Sequence, residues 1–301
     1  MSDLATLTAV EQAQMIRDKR ASPVEVTKAV LGRIAAWEPK LNAFAALDAE
    51  RAMAAARAAE AMVMAGVKLG PLHGVPVTIK DVQAVEGLPT RRGSRLTSDA
   101  PAAKDAPLVQ RLRDAGAIIL GKTTATENGW TAVSSGPLHG HTHNPWMQGR
   151  TAGGSSSGAA ALAGSGCGAL HLGTDGAGSI RLPAHFCGVV GHKPTFGLVP
   201  YAPVPNNNSV SHAGPLARSV GDAALMLEIM SGLHPADHTT LPMKFQSAEV
   251  WGPDLKGMRI AYSPDLGHAR VDPEVAEAVR ASVDALVAAG ATVEEVTPPW
   301  G

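Results

Sequence analysis

Apolar residues recur at helical spacing near the start of the chain. Val26, Val30, Ile34 and Trp37 fall on one face behind Ser22-Pro23-Val24-Glu25, a capping box with proline at the first helical position; the pattern predicts a helix that Pro39 stops. An Ala-rich stretch predicts a second helix over 47–64, with Gly66 as its terminator. From Gly74 the texture changes to short apolar runs separated by glycines and helical segments, as expected of a sheet covered by helices. Strands are predicted at 75–79, 117–120, 169–172, 258–262 and 292–296. Helices are predicted at 105–115, at 157–163 after a glycine-serine loop, and at 219–230 behind a Ser-x-x-Asp cap. A further helix opens at Asp272-Pro273 and carries Val275, Val279, Val283 and Leu286 on one face. Residues 200–208 read as a Pro/Asn loop and 231–257 as an irregular connection to a terminal strand-helix-strand unit; no internal repeat of fixed period occurs.

Composition narrows the class. The 301 residues are 45% hydrophobic and 18% charged, which supplies a large core and excludes disorder over most of the chain. With 26 Lys+Arg against 27 Asp+Glu, no general excess of positive charge is available for nucleic acid or an anionic membrane, although Arg91-Arg92 forms a local basic spot. Cys167 and Cys187 lie in a long chain without a disulfide framework, and the first residues lack the basic and apolar regions of a signal peptide. Residues 151–174 hold no Asp, Glu, Lys or Arg, but their Gly and Ser content makes a poor membrane span. The expectation is a cytoplasmic protein with reduced thiols.

Two motifs invite chemistry that their context does not support. Gly116-Ala-Ile-Ile-Leu-Gly121-Lys122-Thr123 satisfies a phosphate-loop pattern, yet its four middle residues read as a buried strand rather than a curl of converging N–H groups. His139, His141 and His143 share one face of an extended segment, a metal-competent spacing, but no Cys or carboxylate accompanies them and Asn144-Pro145 breaks the run. A loop with solvated or hydrogen-bonded histidines is the expectation there.

The densest chemical signal is Thr151-Ala-Gly-Gly-Ser155-Ser156-Ser157-Gly158 followed by Gly173-Thr-Asp175-Gly-Ala-Gly178-Ser179-Ile-Arg181. Glycines permit sharp turns, consecutive N–H groups can converge on a developing oxyanion, and a serine at such a turn can attack a carbonyl. A Ser-His-Asp arrangement stays open with eleven histidines present, but no Gly-x-Ser-x-Gly elbow frames Ser179. Gly74-Val-Pro-Val-Thr-Ile-Lys80-Asp81 ends an apolar strand with a lysine, which half-burial would turn into a general base and which pairing with Asp81 would instead make structural.

These segments, with the loop Gly140–Trp146 and the run from Cys187 to Gly197, resemble the amidase signature family, whose serine hydrolases use a Ser-Ser-Lys triad. The resemblance runs from Ser22 to the carboxyl end. It implies an α/β amidase signature fold, a mixed central β-sheet covered by helices on both sides, C-terminally truncated, in one domain. That domain comprises a helical region (1–66), a catalytic core (67–230) and an incomplete connecting and terminal segment (231–301). Matched residue by residue, the resemblance makes Ser179 the nucleophile, Lys80 the base and Ser155 the bridging serine, held in a cis peptide bond. It also makes the backbone of Gly176, Ala177, Gly178 and Ser179 the oxyanion hole, with Asp175 and Arg181 holding the turn. No metal or organic cofactor is implied. His171, His192 and Ala163 depart from the family's usual residues, and the bulk of His171 predicts overpacking near the nucleophile turn. The expected activity is hydrolysis of a linear carboxamide through an acyl-Ser179 intermediate. The alternatives are the glutaminase component of a tRNA-dependent amidotransferase, or a non-catalytic fragment. Expected partners are a small-molecule amide and either a second copy or a completing polypeptide, without direct nucleic-acid or membrane binding.

Overall fold

A computed structural model describes residues 3–203, 208–250 and 254–299, and these divide into two compact units, Met1–Ser247 and Ala248–Gly301. The larger unit opens with helices α1 (Ala9–Arg17) and α2 (Pro23–Leu41). Both bonds of the Ser22/Glu25 capping box are made, and Val26, Val30 and Ile34 are fully buried. Pro39 does not stop α2. It falls in the last turn, where little of the hydrogen-bond ladder remains to be lost, and the helix ends instead at Asn42, whose φ of 52° turns the chain left-handed.

The second predicted helix is shorter than expected at its start. Phe44–Leu47 forms strand β1, antiparallel to a central strand, and Asp48 then caps α3 (Ala49–Met64) by accepting from the Arg51 N–H. Next come β2 (Pro76–Lys80), α4 (Pro107–Asp114), β3 (Ile118–Thr123) and the small hairpin of β4 (Ser135–Gly136) and β5 (Gly140–His141). They are followed by α5 (Ser157–Gly164), β6 (Leu170–Asp175), α6 (Arg181–Cys187), β7 (Val190–Gly191), β8 (His212–Ala217) and α7 (Val220–Met230), the last capped by Ser219. The predicted loop at 200–208 lies partly outside the described residues.

Among the described residues six strands form a mixed sheet in the order β1-β3-β2-β6-β8-β7. β3, β2 and β6 run parallel at its centre, while β1, β8 and β7 pair antiparallel at the flanks. Alternation along the central strands splits the interior into two cores. Val77, Ile79, Ile119, Leu170 and Leu172 pack with α4 and α7 residues, whereas Ile118, Leu120 and Leu216 pack with α2, α3 and α5 residues. Helices therefore cover both faces. Because β2 and β6 are parallel neighbours, their carboxyl ends at Lys80 and Asp175 emerge on the same edge, where α/β proteins place ligands.

The smaller unit contains β9 (Arg259–Tyr262), α8 (Pro273–Ala288) and β10 (Thr292–Glu295), with β9 and β10 parallel. The apolar face predicted for α8 is present in register but poorly covered. Val283 is buried, while Val275, Val279 and Leu286 are 40%, 43% and 37% exposed. Two strands offer too little surface to cover a helix of this length. No described helix is long and apolar enough to cross a membrane.

Candidate active site

Lys80 ends β2 with its side chain wholly buried. Its Nζ donates to Ser155 Oγ at 2.7 Å, to Thr174 Oγ1 at 2.9 Å and to the Thr174 carbonyl at 3.3 Å. Burial removes water from the ammonium and pushes the pKa down to about 7, against the attraction of the more distant Asp175 carboxylate. The alternative partner, Asp81, is taken: its Oδ1 lies 2.9 Å from Lys122 Nζ.

Ser155 follows a cis Gly154–Ser155 peptide and precedes α5. Only glycine fits at 154, because a Cβ there would lie 2.5 Å from the Thr131 carbonyl oxygen. Ser156 ties this loop to the other chemical segment. Its N–H donates to the Ser179 carbonyl (3.2 Å), its hydroxyl donates to the Thr174 carbonyl (3.2 Å), and the Thr174 N–H donates back to it (3.2 Å). Sequence reasoning does not single out Thr174 or Ser156; the only signal is their place inside the two motifs.

Asp175 organises the turn that carries Ser179. Its carboxylate accepts from the N–H groups of Gly178 (2.7 Å), Ile180 (3.1 Å) and Arg181 (3.3 Å), and from Arg181 Nε and a terminal guanidinium nitrogen at 2.9 Å each. Burial alone would raise this carboxyl's pKa, but the Arg181 fork and the three N–H donors hold it well below the usual carboxylate range. Gly178, at φ 109°, supplies the left-handed residue the turn requires. Its N–H is committed to Asp175, which corrects the expected oxyanion hole. The N–H groups of Gly176, Ala177 and Ser179 have no hydrogen-bond partner among the described residues.

Ser155, Thr174, Gly176, Ala177 and Ser179 line one cavity of about 540 Å³. Val82, Leu182, Val210 and the highly exposed Trp130 give it apolar walls, and Tyr201, Asn128 and Arg92 add polar groups. The Ser179 hydroxyl makes no hydrogen bond among the described residues, so the contact from Lys80 to Ser155 is formed and the contact from Ser155 to Ser179 is open.

The other sequence candidates lie outside the lining of this cavity. Gly121-Lys122-Thr123 is the end of β3, extended and buried, with no phosphate-binding curl. The His139–His143 segment forms a hairpin edge in which the rings of 141 and 143 stack and the Gly149 N–H donates to His143 Nδ1. Among the described residues no group of three His, Cys, Asp or Glu side chains is placed to hold a metal. His171 is accommodated rather than crowded. Its Nδ1 lies 2.8 Å from Thr78 Oγ1 across β2 and β6, its Nε2 lies 3.4 Å from the Gly168 carbonyl oxygen, and burial pushes its pKa down to about 3. Cys167 and Cys187 are buried free thiols, the latter raised to about 12 by burial.

Comparison with known proteins identifies the family. The family model described as Amidase matches residues 25–300, and the chain belongs to the amidase signature family. It is 43% identical over 99% of its length to an acylamidase of Rhodococcus erythropolis. It is 42% identical, again over 99%, to a glutamyl-tRNA(Gln) amidotransferase subunit of Acidothermus cellulolyticus. Among solved structures, a bacterial aryl acylamidase of the family superposes with a TM-score of 0.92 at 28% identity, covering 100% of this chain and 63% of that one. The peptide amidase of Stenotrophomonas maltophilia superposes with a TM-score of 0.86 at 32% identity, covering 96% and 61%. The chain spans 63% and 60% of the lengths of the two curated relatives.

Proposed function

We propose that the protein hydrolyses a linear carboxamide to a carboxylate and ammonia or an amine through an acyl-Ser179 intermediate. The carrying observation is the wholly buried Lys80 amine, brought near neutrality and set 2.7 Å from Ser155 Oγ at the wall of the cavity that Ser179 shares. Neutral Lys80 takes the Ser155 proton as Ser155 takes that of Ser179, and Ser179 Oγ bonds to the amide carbon. The displaced electron pair on the carbonyl oxygen meets the N–H groups of Gly176, Ala177 and Ser179. The relay returns a proton to the nitrogen, the C–N bond breaks, and water cleaves the ester by the same path. The open contact between the two serines has to close with substrate in place, as unliganded sites commonly tighten.

A fluorophosphonate probe tests this directly. The expected result is an adduct on Ser179 that Lys80→Ala abolishes; a folded protein that is not labelled would instead be a non-catalytic fragment. The amidotransferase relatives support a second reading, a glutaminase within a tRNA-dependent amidotransferase. Ammonia released from glutamine only when a partner protein is added would select it. In either reading the chain acts in the cytoplasm as one amidase domain, alone, as a second copy's partner or with a completing polypeptide, and light scattering of the purified protein decides among these.

A further inference from the structure

The cavity holds a cation that the hydrolytic steps do not use. Of the charged side chains lining it, Asp175 is neutralised by the Arg181 fork, whereas Arg92 has no ion pair among the described residues. Arg92 is held there by its backbone. Its N–H donates to the Asp81 carbonyl (3.0 Å), its own carbonyl accepts from the Asn128 N–H (2.8 Å), and its φ of 51° is a conformation that non-glycine residues rarely adopt. The surrounding strap is fixed by the buried Lys122–Asp81 pair. Lys122 Nζ also donates to the Pro89 carbonyl (3.0 Å) and Thr90 Oγ1 (3.2 Å), and Asp81 Oδ1 accepts from the Arg91 N–H (3.3 Å). Gly93, next in the chain, packs flush on the backbone of Ala125 and Glu127, with no room for a side chain. The positive charge acts within the cavity, where it opposes the effect of burial on the Tyr201 phenol.

We infer that Arg92 is a specificity residue which holds a carboxylate on the amide substrate, away from the bond that is cut. The inference deepens the hydrolase reading above and rests on it for the identity of that bond. A guanidinium offers a planar fork that matches a carboxylate with two parallel hydrogen bonds. In a cavity with apolar walls, and with no ion pair among the described residues, it attracts an anionic substrate and discriminates against a neutral one of the same shape.

Two isosteric probe pairs test this and locate the carboxylate. Succinamate against succinamide places it on the acyl side, and N-acetylglycine against N-acetylglycinamide places it on the leaving amine. Binding is measured by calorimetry on the full chain carrying Ser179→Ala, so that the result does not depend on turnover. The expected result is that one anionic probe binds about 10- to 100-fold more tightly than its neutral partner, the range for a charge-assisted contact. Arg92→Gln removes that ratio, Arg92→Lys keeps part of it, and raising ionic strength shrinks it. Circular dichroism confirms that both variants are folded. Equal binding within both pairs, no binding of any probe, or a ratio unchanged in Arg92→Gln overturns the inference. Arg92-dependent binding with no hydrolysis by the unmodified chain would instead sink the proposed activity and leave the role of Arg92 standing.

Discussion

Lys80 and Lys122 sit on adjacent parallel strands, one register step apart, and neither side chain is exposed to solvent. Their surroundings separate them. Lys122 meets the Asp81 carboxylate at 2.9 Å, so burial, which lowers its pKa, is opposed by a bonded counter-charge. Among the described residues Lys80 meets only the hydroxyls of Ser155 and Thr174 and a carbonyl, and the carboxylate that attracts it, Asp175, is already held by Arg181. Burial with a bonded counter-ion gives an ammonium that fastens the Pro89–Arg92 strap. Burial without one gives an amine near neutrality at the wall of a cavity. The same residue type, on neighbouring strands, is structural in one place and a candidate base in the other.

The largest effect should come from removing the unpaired lysine. Lys80→Met is expected to lower kcat on any amide the protein hydrolyses by about 10²- to 10⁴-fold, the range for a lost general base. The same change should raise the thermal midpoint at pH 7, because a poorly solvated amine is replaced by an apolar chain. A kinetic assay beside a melting curve reads both, and a variant that loses stability along with activity would break the contrast. Lys122→Met should do the opposite to stability. It strands the buried Asp81 carboxylate and should cost about 3–5 kcal/mol in denaturant unfolding. Adding Asp81→Asn to that variant should recover part of the loss, since the stranded charge is gone.

The pH dependence sharpens the comparison further. With Lys80 acting as a free base, kcat/KM should rise as pH increases and level off above about 7. Its contribution to stability has the sign of a depressed group. It is fully present above the unfolded value of 10.5 and is lost as pH falls toward about 7, so unfolding measured across that window should show a slope that Lys80→Met removes. The smallest effect concerns Thr174. Thr174→Val deletes one hydroxyl beside Lys80 and should lower kcat by about 2- to 10-fold, the usual worth of a neutral hydrogen bond. A loss as large as that of Lys80→Met would mean that Thr174, rather than Ser155, carries the proton.

Much of this architecture is legible along the chain because it is encoded by near neighbours. The Ser22/Glu25 cap, the Ser219 cap and the buried runs of β2, β3 and β6 all rest on residues within one or two turns of each other. The two motifs that hold Ser155 and Ser179 can be read for the same reason, as can the strand nature of the apparent phosphate loop. The misses are non-local. β1 is not predicted, only its last residue falling within the predicted Ala-rich helix, and it is a strand because β3 offers it an edge, while β8 is hidden because Pro215 and Gly214 mask a segment that pairs along the whole of β6. The coverage of α8 likewise depends on how much sheet is present, not on its own well-formed apolar stripe.

The sequence by itself determined an α/β chain of the amidase signature family and put forward Lys80, Ser155 and Ser179 as candidates for its site. Only the tertiary structure decided, among the described residues, which of two strand-end lysines is left without a counter-ion and which N–H groups of the serine turn stay free once Asp175 has taken that of Gly178. It also decided that Arg92 lines the cavity with no ion pair among the described residues. The reason is that secondary structure follows from contacts a few residues apart, whereas desolvation and charge are summed over everything that folds around a group, wherever in the chain it comes from.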